Sequence, residues 1–184
     1  MLSASAVDGN TARAEGSKSA YGGGVDTDGT LTASDGASIS RNTAVSLNGD
    51  AYGGGLEIGT SGTAVLSASA VHGNTARTEG SEGAYGGGVD TDGTLTASDG
   101  ASISRNTAVS LNGQAIGGGL EIGEGGTVVL AASAVDGNTA RAEGSGVARG
   151  GGVFTFGALT ASDGASISSN TAVSLNGQAN GGGM

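Results

Sequence analysis

Along Gly29-Thr30-Leu31-Thr32-Ala33-Ser34, small or apolar residues alternate with hydroxyl residues at a period of two, and Ala37-Ser38-Ile39-Ser40 continues the alternation. This is strand patterning. Apolar residues at helical spacing are absent, and Gly-rich punctuation with Asp-Gly and Asn-Gly pairs opposes helix over any ten-residue window. Each stretch of this kind is expected to supply about three short strands, none long or apolar enough to bury a face alone. The strands must therefore be buried by stacking on copies of themselves.

The copies are in the chain. LSASAVDGNTAR at Leu2 returns as LSASAVHGNTAR at Leu66 and LAASAVDGNTAR at Leu130, which divides the sequence into repeats 2–65, 66–129 and 130–184. The first two differ at nine of 64 positions, among them Asp8/His72 and Tyr52/Ile116. A finer period of 32 lies beneath, marked by Asn-Thr-Ala at Asn10, Asn42, Asn74, Asn106, Asn138 and Asn170. Gly-Gly-Gly triplets start at Gly22, Gly53, Gly86, Gly117, Gly150 and Gly181, each followed by one apolar residue. Six copies of one unit, in a 64-residue double repeat, predict an all-β parallel solenoid of about six coils with 32 residues per coil. At about 4.8 Å per coil it would be a rod of roughly 29 Å. The predicted inward positions are Val7, Val25, Leu31, Ala33, Ile39 and Leu56, with their equivalents 64 and 128 residues on. Some ten residues per coil are expected to protrude, from Arg13–Tyr21 and Val45–Tyr52.

Composition narrows the class. Gly is 40 of 184 residues, but it lacks the every-third period and the Pro of collagen, and 36% apolar content opposes disorder. With no Cys and one His there is neither a disulfide framework nor a zinc site. A net charge of −10 repels phosphate backbones, so nucleic acid is not an expected partner. No apolar run is long enough for a membrane-spanning helix, and no signal sequence opens the chain. Repeat 1 starts directly after Met1, repeat 3 stops at Met184, and no polar cap is visible, so the sequence reads as a segment of a longer array. Self-association through uncapped ends is the corresponding expectation.

The unit GGG(V/L)…GT…(V/I)xxNTA resembles the right-handed parallel β-helix repeats of the polymorphic outer membrane proteins and related autotransporter passengers, in the pectate-lyase-like superfamily. Gly22-Gly23-Gly24-Val25 stands where their GGA(I/L/V) would, and Val7-Asp8-Gly9-Asn10 or Ile39-Ser40-Arg41-Asn42 stands where FxxN would. The third motif residue here is Gly rather than Ala, and Phe is replaced by Val or Ile. The resemblance implies a right-handed, secreted or surface-displayed, non-catalytic β-helix of the adhesin or display-stalk kind. Its partners would be a host-cell, matrix or polysaccharide surface.

Among candidate sites, the six recurring asparagines are expected to form a structural amide ladder rather than a ligand array. The Gly triplets lack the Lys-Ser/Thr and following helix of a phosphate loop. One residue past each post-triplet apolar position come Asp26, Glu57, Asp90, Glu121 and then Phe154, so four carboxylates would stack coil on coil, an arrangement that like-charge repulsion opposes. Asp28 and Asp92 lie nearby in Asp-x-Asp-Gly turns. Calcium, which favours oxygen ligands, is one reading of the set. A solvated stripe of splayed side chains is the other and is the expectation, because neither turn completes an EF-hand or a calcium-binding nonapeptide. Phe154 and Phe156 replace two Asp on an outward-patterned turn, as a contact patch or a drifted repeat, and His72 takes the place of Asp8 as a surface variant.

A polysaccharide-cleaving enzyme needs one asymmetric constellation of Asp with Arg or Lys. Here the chain has one Lys, and Arg13, Arg77 and Arg141 recur with the repeat. The expected function is therefore a non-catalytic extracellular structural repeat that displays loops for adhesion or multivalent weak binding, with no cofactor. An ice- or crystalline-surface-binding solenoid is the alternative, motivated by repeated outward Thr and Ser. Against it, Thr32 aligns with Ala64 or Val65 and Thr27 with Ile58, which breaks a continuous Thr array.

Overall fold

A computed structural model describes residues 1–184 as strands and turns alone, wound into a parallel β-solenoid. Each full coil carries five strands rather than three. In the coil that opens at Leu56 they are Leu56–Ile58, Thr63–Ser67, Ala70–His72, Thr75–Thr78 and Ala84–Tyr85, and they belong in that order to sheets I to V. Sheet I has five strands and sheets II to V have six, every pairing parallel. The register is that of the repeat: Leu56 pairs with Val25 and Val89, and Thr75 with Thr43 and Thr107.

The expected protrusions are much shorter than the sequence suggested. Within 13–21, Thr11–Ala14 and Ala20–Tyr21 are strand edges, and within 45–52 the strands Thr43–Ser46 and Ala51–Tyr52 leave only a brief turn. Alternation fails to announce sheets IV and V because their inward residues are alanines, whose small side chains give little apolar contrast with their neighbours.

Two cores result. Between sheets I, II and III, twenty buried residues pack together, including the predicted Leu31, Ala33, Ile39 and Leu56 and the unanticipated Ile58 and Ile122. Val7 and Val25, each in the first strand of its sheet, pack against this cluster while half buried. Between sheets IV and V the core is ten alanines, among them Ala44, Ala76, Ala108 and Ala140 facing Ala51, Ala84, Ala115 and Ala148. Only a methyl fits where two sheets approach this closely.

The waist between the cores is where the two signature motifs meet. A Cβ on Gly88 would stand 2.7 Å from Asn106 Nδ2 and from the Gly119 carbonyl oxygen, and one on Gly87 would collide with the backbone of Thr107. The Gly triplet at the corner between sheets V and I thus packs backbone to backbone on the Asn-Thr-Ala segment at the corner between sheets III and IV. The corners are laddered like the strands, with Gly54 N–H donating to Gly86 O at 3.0 Å and Gly87 N–H to Gly117 O at 2.9 Å. Proline would remove such a bond wherever it stood, and the chain has none.

Candidate functional site

The six asparagines stack in a column at the III/IV corner. Asn106 Oδ1 accepts from Asn74 N–H at 2.9 Å and from Asn74 Nδ2 at 3.0 Å, and Asn106 Nδ2 donates to Val71 O at 3.0 Å. The same set of bonds links Asn42 to Asn74 and Asn106 to Asn138. From Asn42 to Asn138 these residues are wholly buried, with their amide groups committed inside the protein. This column holds coils together and offers nothing to a ligand.

Asp26, Glu57, Asp90 and Glu121 are directly paired on the outer side of sheet I, and Phe154 occupies the next rung. The expectation of a solvated stripe fails in the middle coils. Asp26 is exposed and Glu57 half buried, but Asp90 is 6% and Glu121 8% exposed. Oδ1 of Asp90 is sealed from solvent without a hydrogen-bond donor. A column of tyrosines runs nearby: Tyr21, Tyr52 and Tyr85 of sheet V stack face to face with ring centroids 5.1 and 5.0 Å apart, and Tyr85 lies within electrostatic reach of Asp90 and Glu121. The sequence signal for this column was a Tyr before each of the first three Gly triplets.

Burial changes the acidity of these groups. Burial first, then contact with the Asp26 carboxyl and the charges of Asp26, Asp28 and Asp92, pushes Glu57 up to about 8. Burial lifts Glu121 to about 7, with Asp90 as hydrogen-bond partner moderating the rise. Asp90 is driven well above the ordinary carboxylate range, by burial and then by the charge of Glu121. Asp28 and Asp92 do not join the stripe: each carboxylate folds over the next coil, where a Cβ on Gly59 or Gly123 would strike it. No three acidic groups converge in a geometry that holds a metal ion.

The remaining candidates are scattered. Phe154 and Phe156 meet edge to face at 4.9 Å, with Phe156 65% exposed. His72 is half buried, in a column with Ser40 and Ser104, and its Nε2 lies 3.5 Å from Ser38 Oγ. Asp8 is held at about 2 by hydrogen bonds from Arg41 and Ser40, the Arg41 Nε bond measuring 2.8 Å. A feature that periodicity did not reveal is an open groove of about 360 Å³ at the II/III corner, lined by Ala101, Ala132, Ser133 and Asp163 among others. Its cause is a one-residue difference: the Asp-Gly turn at Asp99-Gly100 or Asp163-Gly164 is longer than the corner at Ala132-Ser133 between them.

No family model, curated protein or solved structure matches this chain. Its class therefore rests on its own geometry, that of a parallel β-solenoid with tandem repeats. No helix is long and apolar enough to cross a membrane.

Proposed function

We propose that the chain is a non-catalytic structural and interaction repeat that works outside the cell, spacing and displaying its turns and outer columns for multivalent weak contacts. The observation that carries this reading is the continuity of all five sheets, corners included, from coil to coil. Such a rod is stiff and presents each outward side chain again about 4.8 Å further on. Repetition produces many equal weak sites rather than one catalytic constellation. The extracellular setting and the likeness to polymorphic outer membrane repeats rest on the GGG(V/L) and (V/I)xxN motifs, and calcium is no part of this reading.

The test is a comparison of valency. Beads carrying many copies should be retained on a panel of cell, matrix and polysaccharide surfaces about 10²- to 10⁴-fold more strongly than the free chain. Free chain binding as tightly as the beads, or shortening of an oligosaccharide during incubation, would count against the proposal.

A second reading, an ice-binding surface, is favoured by the outer side of sheet II. There Thr30, Thr63, Thr94 and Thr127 form one column, and Thr32, Val65, Thr96, Val129 and Thr160 another, with no charged residue in either. The interruptions by Val preserve the branched shape, and the mismatch of Thr27 with Ile58 falls on sheet I rather than on this face. Thermal hysteresis of the purified chain that disappears in a Thr94→Lys variant is the expected result under this reading. Absence of both hysteresis and ice shaping in the unaltered chain removes it.

A further inference from the structure

The geometry points to the acidic stripe of sheet I as a proton-operated clasp: the stacked carboxyls of Asp26, Glu57, Asp90 and Glu121 are held together by shared protons, and their ionisation loosens that side of the solenoid. This goes beyond the scaffold reading and does not depend on it.

Four carboxyls in direct register repel one another when all are ionised. Surface acids escape by splaying into water, but Asp90 and Glu121 have little solvent to splay into. Nor does a cation stand against them. The ion pairs of the protein are Arg13–Glu15, Arg41–Asp8, Arg77–Glu79 and Arg141–Glu143, all elsewhere. What faces the stripe adds negative charge or none. From the turns come Asp28 and Asp92, and from sheet V comes Tyr85, which itself lies near Asp50 and Glu82, while Ile116 continues the tyrosine column. Arg149 follows Ile116 in that column and forms no ion pair. The sealed Asp90 Oδ1 is out of reach of a hydrated metal ion as well as of water. A proton is the one countercharge small enough to enter, and placed between Asp90 and Glu121 it supplies the donor that Oδ1 lacks.

The direction with pH follows from the weakened acidities of Glu57, Asp90 and Glu121. Glu57, Asp90 and Glu121 each bind a proton more tightly folded than unfolded, so the stabilisation is fully present below about pH 4. It is lost as pH rises through about 7 for Glu121 and about 8 for Glu57. Asp8, Asp35 and Asp99 act oppositely: their acidities are strengthened in the fold, by Arg41 at Asp8 and by Ser hydroxyls at the other two, so their contribution is lost as pH falls below about 4. The optimum should lie near pH 4 to 5, below the range common for proteins.

Thermal unfolding of the whole chain from pH 4 to 9, in chelator, tests this. The expected Tm falls by roughly 10 °C between pH 5 and pH 9. In the triple variant Glu57→Gln, Asp90→Asn, Glu121→Gln, the slope should flatten and Tm at pH 9 should exceed that of the parent. A parent Tm independent of pH, or an undiminished slope in the variant, overturns the clasp. Should the variant not fold, hydrogen-exchange protection factors of the parent at pH 5 and pH 9 decide the matter. Protection at Val89–Thr91 should drop at least tenfold more than at Thr107–Ser110, and a uniform change overturns it. A third arm adds millimolar calcium at pH 9. Recovery of the lost Tm in the parent would replace the shared proton by a bridging cation and so overturn the proposal.

Discussion

Asn106→Ala is expected to cost roughly 3–6 kcal/mol, a large part of the stability of an ordinary domain. The side chain is wholly buried and mediates between three coils. Its loss leaves Asn74 N–H and one Asn74 amide hydrogen without their acceptor, and Val71 O without that donor. Each unsatisfied buried group costs about 1–3 kcal/mol, and the waist leaves no room for water to replace the amide. Urea unfolding should show a lower midpoint. Asn10→Ala provides the internal comparison, because Asn10 is exposed in the first coil and its side chain bonds only to Asn42. If the two substitutions cost the same, the ladder is not what holds the coils in register.

Gly87→Ala should cost more than about 3 kcal/mol and is expected to yield little soluble protein. The added methyl would overlap the Gly118 carbonyl oxygen and the Thr107 backbone. Backbone atoms held in two ladders cannot turn aside as a side chain can, so the V/I corner must lift away from the Asn-Thr-Ala segment. Gly100→Ala separates space from conformation. Gly100 has φ of +82° but nothing within 4 Å of a Cβ, so it should lose only about 1–2 kcal/mol, the ordinary penalty for an L residue in the left-handed region. Expression yield and urea midpoint for both variants check the contrast. A Gly87→Ala chain as stable as Gly100→Ala would mean that the waist is looser than the triplet-to-Asn contact implies.

These two residues also show how far the repeat could be read. The 32-residue spacing of Asn106 and its copies was enough to place them in one column, because a solenoid turns a sequence period into a spatial one. The same logic put Asp26, Glu57, Asp90 and Glu121 in register and turned Val7, Leu31, Ile39 and Leu56 inward. What periodicity relates is each position to its own copies one coil away. It is silent about which different positions of one coil face each other across the interior or around a corner.

For that reason the sequence by itself determined the stacking, the register and the class of this protein, since identical strands that cannot bury a face alone have only their copies to pair with. The tertiary structure decided the rest. It bent each coil into five strands rather than three, packed Gly87 and Gly88 on Thr107 and Asn106, and used alanine where sheets IV and V close together. It also buried Asp90 and Glu121, where a solvated stripe was expected, with the column of Tyr85 within electrostatic reach. Burial is a property of everything that folds around a residue, and the spacing of motifs describes only a residue's own copies, not its neighbours from other sheets around a glycine corner.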